Sequence, residues 1–174
     1  MAGTTIAALE ASLRRQRWFA PCPTRRPRSA AASRSRSPAK NVSAAQRAIA
    51  DALLRATGSV EWVDKESLMD AVTAVSGSGP AYVFLLAEEL ARAGVAAGLP
   101  AELATKLARA KPSPGSGELL HRSELASATL RQNVTSPGGT TAAALDVLMG
   151  PNGLQPLLTR AVAAATQRSK DLAK

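Results

Sequence analysis

One cysteine, one histidine and five aromatic residues (two Trp, one Tyr, two Phe) are all that the 174 residues hold of the side chains that most often carry chemistry. A lone Cys22 excludes a disulfide framework and a protein zinc cage, and points to a reducing cytoplasm. No run of 18 apolar residues is present, so no spanning helix is expected. Met1 leads into Ala-Gly-Thr-Thr, without the basic region and apolar core of a secretory signal. What is present is 45% hydrophobic residues, enough for a real core in one domain or a domain plus a remnant.

The net charge of +9 would suggest nucleic acid if it were spread over a fold, but it is local. Arg14 to Lys40 contains nine basic residues and no acidic one, and the remainder is nearly neutral. Its core, PCPTRRPRSAAASRSRSPAK at 21–40, is rich in proline and serine and has almost nothing apolar larger than alanine. Such a stretch cannot offset its ordering entropy, so a disordered loop is expected. SRSRSP also admits an Arg/Ser-rich RNA-binding tail, though without interleaved aromatics or an accompanying RNA fold.

Around this segment the pattern is helical. Ile6, Leu9 and Leu13 have helical spacing behind a Thr5 cap. Ser43-Ala-Ala-Gln46 matches a capping box, opening a helix through Ile49, Leu53 and Leu54 that stops before Gly58. Val60 to Val63 reads as a short strand. A helical segment through Leu68, Met69, Val72 and Val75 is expected to halt at SGSGP, 76–80. An apolar helix follows from Pro80 to about Gly94–Gly98, and Pro100 suits the first turn of the next. KPSPGSG at 111–117 reads as a break. Short helices are expected over 118–122, 125–134 and 140–149, then a terminal helix from Leu154 to about Leu172. Tyr82 to Ala87 is apolar all round, which favours homodimerisation through helix packing; a single monomeric bundle is the plainer alternative.

Two loops could hold an anion. SGSGP and TSPGGTT each place glycines at a helix start, where backbone N–H groups and the helix dipole favour a carboxylate or phosphate. Both are equally readable as glycine-rich interhelical turns. Asn133 and Glu124 flank the second loop and could reach a ligand or merely cap helices. His121 lacks a partner nucleophile and reads as a surface residue, and no metal-ligand spacing occurs. Glu88 and Glu89 do not share a helix face, so they are no acid–base pair.

LMDAVTAVSGSGPAYVFLLAEEL, GVAAGLP and LRQNVTSPGGTTAAALDVL together resemble the C-terminal half of the pyrroline-5-carboxylate reductases, over roughly residues 41–174. The resemblance implies a mainly α chain: an all-helical dimerisation domain of the 6-phosphogluconate dehydrogenase C-terminal-like kind, at 67–174, after a remnant of a Rossmann α/β domain. Residues 41–66 would be that domain's last helix and strand, 1–13 a further remnant, and 14–40 a basic low-complexity, disordered stretch read out of frame. It also implies NADPH- or NADH-dependent reduction of 1-pyrroline-5-carboxylate to L-proline. The substrate would sit at a dimer interface, with Thr141 on the ring nitrogen and the backbone of Gly139 and Thr140 on the carboxylate. Glu66 would lie near the substrate, and Asn133 would touch the cofactor. Ser76, Gly77, Ser78 and Gly79, with Ser136, Pro137 and Gly138, would shape the pocket.

The same resemblance makes the chain look truncated, since no G-x-G-x-x-G follows a strand, and Met1 would be an internal start. The family carries MPNTP and a glycine-containing strand where this chain has APCPTRRPRSAAASRSRSPA. Synonymous codons for residues 20–38 can be chosen so that a shifted frame reads AMPNTPAPVGRGITVAVA, and KPSP similarly yields TVA. Two compensated frameshifts are the implied event. The expectation is therefore a homodimer or larger homo-oligomer from a family that acts on a small molecule, this chain not being active alone, with neither nucleic acid nor membrane as partner. A non-catalytic helical dimerisation module is the alternative.

Overall fold

The computed structural model describes residues 19–21, 34–38, 42–56, 58–110 and 112–173. The proposed helix at Thr5–Leu13, Cys22 and most of the basic segment lie outside the described residues. The chain divides into two compact units, Met1–Gly79 with Thr159–Lys174, and Pro80–Leu158.

In the first unit, strands β1 (Phe19–Pro21), β2 (Arg34–Pro38) and β3 (Val60–Trp62) form one sheet in that order. β1 runs antiparallel to β2, Phe19 opposite Pro38, and β2 runs parallel to β3, Arg34 opposite Val60. Helix α1 (Ala44–Arg55) makes the crossover that a parallel pair requires. The loop expected over 21–40 is thus corrected in part: RSRSP is a strand. Composition argues against side-chain burial, but a ladder is built from backbone groups that every non-proline residue carries. Pro21 sits on the edge strand and Pro38 ends β2, positions where a missing N–H costs least.

The capping box at α1 forms as expected. Gln46 N–H donates to Ser43 Oγ at 3.3 Å, and Ser43 N–H donates to Gln46 Oε1 at 3.1 Å. Beyond the 3-10 turn Glu66–Leu68 comes the short helix α2 (Met69–Val72), which lies against β2. SGSGP does not halt it. Thr73–Gly77 continues as one π turn, with Ser78 N–H donating to Thr73 O at 3.0 Å, and the chain passes directly into α3 (Gly79–Ala96). Two glycines and two serines lower the helical propensity locally, but one wide turn satisfies the backbone without a break.

The second unit contains α3, α4 (Ala101–Ala110), α5 (Pro112–Arg122), α6 (Ser127–Asn133) and α7 (Thr140–Leu148). α8 (Leu154–Leu172) closes the chain. Pro100 precedes α4, its carbonyl accepting from Ala104 N–H at 2.9 Å. Ala104 and Ala108, one turn apart, are the buried residues of α4, and Gly94 of α3 lies where a Cβ would stand 3.2 Å from that of Ala104. Small residues on both helices allow that approach.

KPSPGSG is corrected from a break to a helix start. Pro112 is the first residue of α5 and Pro114 the third, inside the turn whose N–H groups have no intrahelical partner. α5 is accordingly longer than the expected 118–122, and α6 is shorter than 125–134.

Residues 67–79 and 159–174 group with the sheet, because α2 lies on β2 and Ser169 of α8 donates to Asp70 of α2 at 2.7 Å.

Candidate functional site

The loop between α6 and α7 is built by a tight turn. Gly139 N–H donates to Ser136 O at 3.0 Å, closing Ser136-Pro137-Gly138-Gly139. Proline second and a glycine with φ +67° third are what a type II turn requires. Gly139 then serves as the N-cap of α7, with φ −82° and ψ 175° and no side-chain cap.

The first intrahelical bond of α7 is Ala143 N–H to Gly139 O, 3.2 Å. The amides of Thr140, Thr141 and Ala142 precede it and so have no intrahelical acceptor. Both threonines are exposed, and their hydroxyls stand in the same first turn as those donors. The combination suits a carboxylate, bound by N–H groups at the positive end of a helix, next to a neutral hydroxyl. Thr135 is otherwise engaged, its hydroxyl donating to Arg131 O at 2.7 Å. Asn133 is the last residue of α6 and is exposed, as is Glu124 before it.

The other candidate residues belong to the first unit. Glu66 opens the 3-10 turn and is half-buried. Ser76 and Gly77 end the π turn, Ser78 follows, and Gly79 begins α3, all half-buried. The structure therefore brings Ser136–Thr141 together in one loop, and Ser76–Gly79 with Glu66 in one segment preceding α3.

The remaining candidates behave as surface residues. Glu88 and Glu89 each accept from Arg92, at 2.8 and 2.9 Å, in exposed ion pairs worth little to stability. His121 lies exposed in the last turn of α5. Among the described residues no group of three or more His, Cys, Asp or Glu could hold a metal ion, and no helix is long and apolar enough to cross a membrane.

Sequence reasoning did not single out a groove of about 690 Å³ on the second unit. Val83, Phe84 and Val95 line one side, with Thr105, Arg109 and Ser113 on the other, and none of the candidate site residues borders it. Phe84 is 68% exposed and Val147 75%. Among the described residues of the second unit only Ala104 and Ala108 are buried apolar residues. Apolar surface on this scale marks a protein-interaction face. The all-round apolar stretch Tyr82–Ala87 carried the signal.

A family model described as pyrroline-5-carboxylate reductase dimerisation matches residues 66–172. The pyrroline-5-carboxylate reductase of Pseudomonas aeruginosa is 47% identical over 133 residues, covering 76% of this chain and 48% of the relative. That of Synechocystis is 48% identical over 135 residues, covering 78% and 49%. The chain thus spans about half the length of the curated relatives it matches. A solved pyrroline-5-carboxylate reductase from Coxiella burnetii superposes with a TM-score of 0.89 at 35% identity, over 99% of this chain and 64% of that one. A Plasmodium falciparum pyrroline carboxylate reductase with NADP bound gives 0.76 at 32% identity, over 99% and 69%.

Proposed function

The chain belongs to the pyrroline-5-carboxylate reductase family, and on that premise we propose that it supplies the substrate-holding part of the NAD(P)H-dependent reduction of 1-pyrroline-5-carboxylate to L-proline. The observation that carries this is the turn Ser136–Gly139 opening α7 inside the matched region. Its amides at Thr140 and Thr141 would bind the substrate carboxylate, with the Gly139 backbone beside it. The Thr141 hydroxyl would face the ring nitrogen, the atom that gains a proton while C5 gains the hydride. Positioning is the main contribution such a site makes when the reductant is a cofactor.

Glu66 and the segment Ser76, Gly77, Ser78 and Gly79 are assigned to the same substrate by the family motif alone, and Asn133 to the nicotinamide cofactor on the same ground. The described residues do not fit a dinucleotide by themselves. β3 is followed by a 3-10 turn at Glu66–Leu68 rather than by a glycine-rich turn into a helix, so no step is assigned to cofactor contacts here. NADPH or NADH remains the reductant that the family implies.

The exposed faces of α3 and α7 support assembly into a homodimer or larger homo-oligomer, in a reducing cytoplasm. The test is oxidation of L-proline by the purified chain with NADP+ or NAD+, with light scattering on the same sample. Turnover supports the enzymatic reading. A folded dimer that neither turns over nor binds proline overturns it in favour of a dimerisation module without catalysis.

A further inference from the structure

The segment before α3 carries Glu66 at one end and Ser76–Gly79 at the other, and one contact ties its middle to the far end of the chain. Ser169 Oγ, in the last turns of α8, donates to Asp70 Oδ1 at 2.7 Å, across 99 positions of sequence. Ser169 is 4% exposed and is the only buried polar side chain among the described residues. One turn after Asp70, Ala74 is 1% exposed, and Thr73 Oγ1 donates back to Met69 O at 2.8 Å. The π turn Thr73–Gly77 therefore starts from a helical turn that is clamped on one side by α8. π turns are uncommon and concentrate at functional sites, because they displace the residues that follow them.

We propose that Ser169 and Asp70 are positioning residues: their hydrogen bond holds α2 so that the π turn presents Ser76–Gly79 in the form the substrate pocket needs. This rests on the proposed assignment of Ser76–Gly79 to the substrate. α2 is the four-residue start of a helical run that continues through the π turn into α3, and the Ser169 bond is the side-chain contact that fixes this start from outside the run. Thr166 is not that anchor, since its hydroxyl donates to Val162 O within α8 at 2.8 Å. Loss of the Ser169 hydroxyl leaves a half-buried carboxylate oxygen without its donor, and α2 with its turn is the element free to shift in response.

The test uses the full chain in five forms: wild type, Ser169→Ala, Asp70→Ala, the double alanine variant and Asp70→Asn. Hydrogen exchange is read amide by amide, and L-proline binding is read by calorimetry. In Ser169→Ala and Asp70→Ala the amides of residues 73–79 should exchange about tenfold faster, with those of α1 and of α3 beyond its first turn unchanged. The double alanine variant should match either single one. Asp70→Asn keeps an oxygen acceptor and should restore wild-type exchange. Proline affinity should fall about tenfold in the two alanine variants and recover in Asp70→Asn. Unchanged exchange at 73–79, a uniform rise across the chain, or an Asn variant that behaves like the Ala variant would each overturn the proposal. A wild type that shows the exchange pattern but binds no proline would instead refute the substrate assignment and leave the anchoring role standing.

Discussion

The indole Nε1 of Trp62 donates to Asp51 Oδ1 at 2.8 Å, and this bond fastens the end of β3 to the middle of α1. The other carboxylate oxygen of Asp51 accepts from Arg55 Nε at 2.6 Å, and Arg47, one turn earlier, lies 4.6 Å from the centre of the Trp62 ring. One carboxylate thus organises two arginines and a tryptophan at the crossover between β2 and β3.

This arrangement makes stability depend on acid. The Arg55 bond, then the Trp62 bond, hold the Asp51 carboxyl below its ordinary value of 3.8. A group whose folded pKa is lowered contributes stability that is complete above its unfolded pKa and is lost as pH falls through the lowered value. Asp51→Asn should therefore melt below wild type at neutral pH. The gap should close as pH drops below 3.8 towards the lowered value. Thermal melts followed by circular dichroism across that range check it.

The turn at 136–139 needs glycine third. Gly138 has φ +67°, and a Cβ there would meet nothing within 4 Å, so the cost of a side chain is conformational rather than steric. Gly138→Ala should lose about 1–2 kcal/mol of stability, and Gly138→Asn less, because asparagine tolerates the left-handed region. Urea denaturation of the two variants measures the difference.

Gly153 presents the opposite case. A Cβ on it would collide with the carbonyl oxygen of Leu148, so the backbone itself has to move. Gly153→Ala should cost on the order of 3 kcal/mol, the upper range for a single substitution. A fall in Tm without loss of helix content at low temperature is the expected readout.

Thr141→Val removes the hydroxyl proposed to meet the ring nitrogen while keeping the side chain's shape. A lost neutral hydrogen bond is worth about 0.5–1.5 kcal/mol, so proline binding should weaken roughly two- to twelvefold. Calorimetry decides it, and equal affinity would remove Thr141 from the site.

Phe84, 68% exposed on the groove of α3, should be covered in the assembled protein. Burying one such side chain is worth about 1.5–3 kcal/mol, so Phe84→Glu should raise the dimer dissociation constant at least tenfold. Light scattering over a concentration series shows whether it does.

Local chemistry made several elements legible in advance. The Ser43–Gln46 capping box, the strand at Val60, the glycine turn before α7 and the long apolar α3 all depend on residues within a few positions of one another. The errors were of another kind. RSRSP at 34–38 has the composition of a loop and becomes a strand because β1 and β3 flank it. Pro112 and Pro114 look like helix breakers and instead occupy a first turn, where proline is compatible.

What the sequence determined by itself is therefore the helical character of 67–174, the family, and the TSPGGTT turn, since periodicity and turn chemistry act over short spans of chain. Tertiary structure alone decided that the chain runs through the π turn Thr73–Gly77 into α3 without halting at SGSGP, and that residues 159–174 group with the sheet. It also decided that Ser169 meets Asp70, 99 positions away. No local propensity encodes a contact of that span, because its energy is gained only once the chain has brought the two side chains together.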